Sequence, residues 1–159
     1  MRIFLPAVAV VVGLANALLY STVGNSPWGG PFVWRLEPGP FFAAHMLSAV
    51  LAGLMVSGAL LLFAGRDLRG GFFARYGLMV VAVCAGGTIL SVFLDATTVL
   101  LDDREPMPGG LSEILFAVAF PAVAGGVLGA IEGTVLGFPL AWLLGMFGDR
   151  TAAQPRPRS

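Results

Sequence analysis

Residues 76–101 read YGLMVVAVCAGGTILSVFLDATTVLL, an apolar run with a single charged residue, Asp95. A lipid hydrocarbon core is about 30 Å thick, and a helix rising about 1.5 Å per residue needs roughly 20 apolar residues to cross it. This stretch is long enough, and so are 3–23, 41–64 and 114–147. Inside lipid no water satisfies the backbone, so such segments must be helices or strands of a closed barrel. Their length favours helices. The sequence therefore predicts an all-α, polytopic membrane protein. Residues 1–150 form one domain, a four-helix transmembrane bundle with spans near 3–23, 41–64, 76–101 and 121–147. Short connections make neighbouring spans antiparallel.

Composition agrees. Charged residues are only 11% of the chain, against about 25% in soluble domains, and 57% of residues are hydrophobic. All nine basic residues are Arg, the net charge is zero, and no basic patch suits a nucleic acid. Cys84 is the only cysteine, which excludes an intrachain disulfide and a CxxC redox pair. One His, one Cys and scattered carboxylates match no metal-ligand spacing, so neither a metal nor another cofactor is expected. Nucleophile-elbow, zinc-protease, dinucleotide and P-loop motifs are absent.

The Arg residues sort by loop. Arg2, Arg66, Arg69, Arg75, Arg150, Arg156 and Arg158 fall on one side of a four-span topology, and only Arg35 and Arg104 on the other. The positive-inside rule then places both termini in the cytoplasm of a cell bounded by its plasma (inner) membrane. Trp28, Trp34 and Trp142 suit the interfaces. Ala15-Asn16-Ala17 resembles a signal-peptide cleavage site, but the apolar run continues to Val23, so a retained first span is expected. The Pro- and Arg-rich tail 151–159 reads as a disordered cytoplasmic segment.

The last apolar segment is too long for one upright span. Pro121 suggests a division, with Ser112 capping a short interfacial helix before the final span. One tilted or kinked helix is the alternative.

Two patterns carry the candidate chemistry. On span 3, Cys84, Thr88, Ser91, Asp95, Thr98 and Asp102 recur at steps of three and four, which keeps them on one face. Lipid offers such a face nothing, so it points into the bundle, and Asp95 is its sharpest member as a proton or cation site. His45 on span 2 stands at a comparable depth and can pair with it, although an interfacial His in contact with headgroups or the outer loop is the preferred reading. Asn16 and Tyr20 on span 1 are expected to complete the same polar cluster. On span 4, Gly125, Gly129, Gly133 and Gly137 recur every four residues, a spacing that lets another helix backbone come close. Glu132 flanks this row by about 60° on the helix wheel, as a helix-helix hydrogen-bonding group or a second protonatable site.

The leading functional expectation is a non-enzymatic membrane subunit or scaffold, acting through helix packing with a second copy or a partner membrane subunit in the lipid bilayer. The alternative is a proton- or cation-coupled transporter or channel using Asp95 and Glu132. An intramembrane enzyme acting on lipid or quinone ranks third.

Overall fold

A computed structural model describes residues 3–23, 42–64, 70–101 and 111–152, with side chains omitted for 19–23, 98–100, 111–114, 117 and 147–152. Four helices account for nearly all of this: α1 (Phe4–Val23), α2 (Phe42–Phe63), α3 (Phe72–Leu101) and α4 (Leu111–Ala152). Three are long and apolar enough to cross a membrane, through Phe42–Phe63, Phe72–Thr97 and Val118–Met146. In α1 the apolar stretch among the described side chains is Phe4–Leu18. Among the described residues the chain is all-helical, and it has the makings of a multi-pass membrane protein. Its surface agrees, since Val127, Leu128, Ile131, Val135 and Phe138 of α4 are each more than half exposed. Water would penalise such a face, and lipid does not.

No break separates a short helix at Pro121. α4 runs unbroken for 42 residues, with Pro121 and Pro139 both inside it. The expected two-helix division gives way to the single long helix. Each proline removes one amide donor, and a membrane helix tolerates this where neighbours supply a substitute. A side-chain donor lies beside Pro139, on the neighbouring carbonyl. The Tyr76 hydroxyl donates to the Thr134 carbonyl at 3.1 Å, one residue before the carbonyl that Pro139 leaves without its usual amide. Phe72 reinforces this end of the contact by meeting Phe138 edge-on, with ring centroids 5.1 Å apart.

Glycines set the helix pairs. A Cβ on Gly13 would fall 2.9 Å from the Ala49 carbonyl oxygen, and one on Gly53 would fall 2.9 Å from the backbone of Ala9 and Val10. The partners descend along one helix as they ascend along the other, so α1 and α2 form an antiparallel pair. The same holds for α3 and α4. Gly87 lies against Gly125, Gly129 against Val83 and Cys84, Gly133 against Val80, and Gly137 against Tyr76. Two buried clusters join the pairs. Ala17, Ala49, Ala52, Leu90 and Leu94 form one, and Leu5, Met79 and Leu144 the other. Van der Waals packing of this kind holds membrane helices together, because lipid gives no hydrophobic drive.

Candidate functional site

Glu132 occupies the middle of the apolar stretch Val118–Met146. Its direction follows from the glycine face. Gly129 and Gly133 press α4 onto α3, and Glu132, on the flank of that face, projects past α3 towards α1. There the Asn16 Nδ2 group donates to both carboxylate oxygens, at 3.0 and 2.8 Å. Among the described residues no Cα of α1 comes within 8 Å of one of α4. The two side chains thus meet where the backbones stand apart.

Magnitudes show how unusual this placement is. An acid at the centre of a span costs roughly 2.5–3.5 kcal/mol on insertion scales. An interhelical hydrogen bond in a membrane returns about 0.6 kcal/mol on average and about 1.7 at most. A single amide leaves more than half of a typical cost uncovered, so structural glue alone is a poor reason for Glu132.

Asn16 also lines an apolar cleft of about 610 Å³, open side included, in whose lining Glu132 has no part. All four helices line it, from Leu5, Leu60 and Leu140 at one end to Asn16 and Leu90 at the other. Asn16 is the one polar side chain in that lining; the rest is apolar or glycine.

The polar face of α3 divides. Its first half is absorbed by α4: the Cys84 thiol donates to the Gly126 carbonyl at 3.3 Å, Thr88 returns its hydroxyl to the Cys84 carbonyl at 3.1 Å, and Ser91 sits against Gly125. These are packing contacts made by small polar groups that satisfy themselves on backbone carbonyls. Asp95 is half-buried and makes no hydrogen bond or ion pair among the described residues. His45 is buried. Counting from the contact between Val56 and Gly86, eleven residues back to His45 and nine on to Asp95 put the two at similar heights, yet no hydrogen bond or ion pair joins them. The side chains of Tyr20 and Thr98 lie outside the described residues, as does Asp102.

The candidates therefore do not form one cluster. Gly133 meets Val80, so Glu132 stands near the level of Val80 on α3. Asp95 is fifteen residues further on, about 22 Å along the helix. Asn16, expected beside His45 and Asp95, turns instead to Glu132. No three His, Cys, Asp or Glu side chains converge among the described residues.

Sequence reasoning missed several contributors. Gly13 and Gly87 approach neighbouring backbones as closely as the span 4 glycines do. Gly13 does stand in a small-residue row at four-residue spacing, with Ala9 and Ala17, which went unread, while Gly87 stands in no glycine row. Arg75, read only as a topology marker, donates from Nε to the Gly70 carbonyl at 2.8 Å and lies against Gly145. Comparison with protein-family models, curated proteins and solved structures finds no match to this chain, so its geometry alone carries the functional argument.

Proposed function

We propose that this protein is a small proton- or cation-coupled membrane transporter whose working group is Glu132, with Asn16 holding it in position. The observation that carries this reading is the Asn16–Glu132 contact itself: a mid-span carboxylate, under-compensated by one amide. Four spans in one helical domain and cytoplasmic termini complete the reading. Asp95, remote from this level, belongs to a separate outer polar region.

The scaffold reading loses its main motive, because Gly125, Gly129, Gly133 and Gly137 face α3 of the same chain. One observation still favours a membrane-subunit role. Val127, Ile131, Val135, Phe138 and Trp142 leave a long apolar surface on α4 that a second copy or another subunit can cover as well as lipid can.

Purified protein in liposomes containing a pH-sensitive dye tests the proposal. Wild type should dissipate an imposed proton gradient faster than empty liposomes. Glu132→Gln should cut the rate at least tenfold while keeping the wild-type elution volume and helical circular dichroism. Asp95→Asn should retain most of it. Wild-type rates in Glu132→Gln would refute the reading. A second polypeptide in fixed ratio by native mass spectrometry, with no flux, would establish the subunit role instead.

A further inference from the structure

We propose that the chain is built as two rigid halves, α1–α2 and α3–α4, that pivot on α3, and that the Asn16–Glu132 bond is the latch between them, released when Glu132 takes up a proton. This inference rests on the reading of Glu132 as the working group and names the motion that its protonation controls.

Contacts within a half differ in kind from contacts between halves. Inside a half, backbone meets backbone. A Cβ on Gly13 or Gly53 would strike the partner's backbone in the first half, and one on Gly87, Gly129 or Gly133 would do so in the second. Such contacts hold no flexible atoms that can give way, so each pair moves as one body. Between halves, side chains fill the seam. Two adjacent glycines of α3 show the contrast. Gly87 lies against the Gly125 carbonyl of α4, whereas a Cβ on Gly86 would meet only the Val56 Cγ2 atom of α2, at an ordinary 3.7 Å.

The rest of the seam is apolar. One buried cluster sets Ala17, Ala49 and Ala52 against Leu90 and Leu94, and the other sets Leu5 against Met79 and Leu144. Lipid tails can replace contacts of this kind at little cost, because they are as apolar as the side chains. An apolar cleft opens along the same seam, lined from both halves, so the halves meet there incompletely. Among the described residues neither α1 nor α2 brings a Cα within 8 Å of α4, so α3 carries every close backbone approach between the halves. That is the arrangement of a hinge between two packed bodies.

The Asn16–Glu132 bond ties the two helices whose backbones stand apart, α1 and α4. With Glu132 ionised, both carboxylate oxygens accept from the Asn16 Nδ2 group, at 3.0 and 2.8 Å. Charge-assisted bonds are roughly twice as strong as neutral ones. A proton from water, placed on one oxygen, turns that acceptor into a donor and removes the charge, so one bond is lost and the other weakened. Among the described residues no other ionisable group stands in for the latch. The side chains of α1 include none, and α4 offers none besides Glu132. On α3, Tyr76 and Cys84 are engaged on the Thr134 and Gly126 carbonyls, and Arg75 lies against Gly145. His45, the one ionisable side chain of α2, stands at the remote level of Asp95.

The test is the distance between paired spin labels, measured by pulsed electron paramagnetic resonance in lipid nanodiscs on a Cys84→Ala background. Exposed sites carry the labels: Val11→Cys with Val135→Cys across the halves, Val81→Cys with Val135→Cys within α3–α4, and Val11→Cys with Leu54→Cys within α1–α2. From alkaline to acid pH the distance across the halves should lengthen by at least about 2 Å, the scale of a helix shift, while both distances within halves hold. Asn16→Ala should show the longer distance at both pH values with Glu132 intact. Glu132→Gln should show no change with pH. The distances within halves report whether each variant is folded. A distance across the halves that ignores pH, a pH response that survives in Glu132→Gln, an Asn16→Ala distance equal to the alkaline parent, or distances within halves that change alongside would overturn the latch. Flux and distance separate the two levels. Glu132-dependent flux with an unchanging distance sinks the latch and leaves the transport reading standing. A pH response that needs Glu132, without flux, keeps the latch and sinks transport.

Discussion

Gly129→Ala isolates the contact on which the placement of Glu132 depends. The added Cβ would lie 2.6 Å from the Val83 carbonyl oxygen and 3.0 Å from the Cys84 Cα. Both are backbone atoms, so no side chain can rotate away. Ordinary contact begins at 3.4 Å, and α3 must retreat by about the 0.8 Å difference. A gap of ~0.5–1 Å forfeits a quarter to a half of the dispersion energy of each affected atom pair. Overpacking of this kind costs about 1–3 kcal/mol. Alanine also returns up to ~1 kcal/mol through better helix propensity. Gly58→Ala removes that ambiguity, because a Cβ at Gly58 meets nothing within 4 Å while its helix gains the same propensity. Subtracting one variant from the other leaves the steric cost. Gly129→Ala should therefore be about 1–3 kcal/mol less stable than Gly58→Ala. Unfolding in mixed micelles of rising sodium dodecyl sulfate fraction, followed by tryptophan fluorescence and circular dichroism, gives both values. Equal stability of the two variants would refute the close α3–α4 approach, and with it the argument that aims Glu132 at α1.

Three further outcomes follow from the contacts. In a double-mutant cycle of Asn16→Ala and Glu132→Ala, the same unfolding assay should give a coupling of about 0.6–1.7 kcal/mol, and additivity within about 0.3 kcal/mol would deny the bond. Cys84, bonded to the Gly126 carbonyl inside the α3–α4 contact, should react slowly with a membrane-permeant maleimide and several-fold faster in Gly129→Ala; equal rates would place the thiol elsewhere. Epitope tags at either terminus of the chain in intact cells or spheroplasts should resist an external protease, and cleavage of one tag but not the other would show an odd number of spans.

Apolar length made the helices legible, because the bilayer sets one dimension that each span must meet. The boundaries of α2 and α3 fall within a few residues of the expected 41–64 and 76–101. Pro121 misled for a physical reason. In water a mid-helix proline usually marks an end, but in lipid leaving the helix would expose more backbone than the single donor it removes. The four-residue glycine rhythm revealed a face of α4 without revealing its neighbour. Periodicity is a property of one helix, and the same row serves an internal α3 or an external partner equally well.

The Asn16–Glu132 contact was legible as two residues and illegible as a pair. They are 116 positions apart, and their meeting depends on the rotation of α4 about its axis and on the height of α1 beside α2. Gly129 and Gly133 set the first through α3, and Gly13 and Gly53 set the second through α2. Each of those contacts fixes its helix pair to within a fraction of an ångström, because backbone meets backbone with no flexible atoms between. A hydrogen bond of 2.8–3.0 Å between helices whose backbones stand apart tolerates little more than that. The glycines therefore matter to function without touching any ligand. They hold a carboxylate and an amide in contact, and a substitution in either helix pair should reach Glu132 before it unfolds the chain.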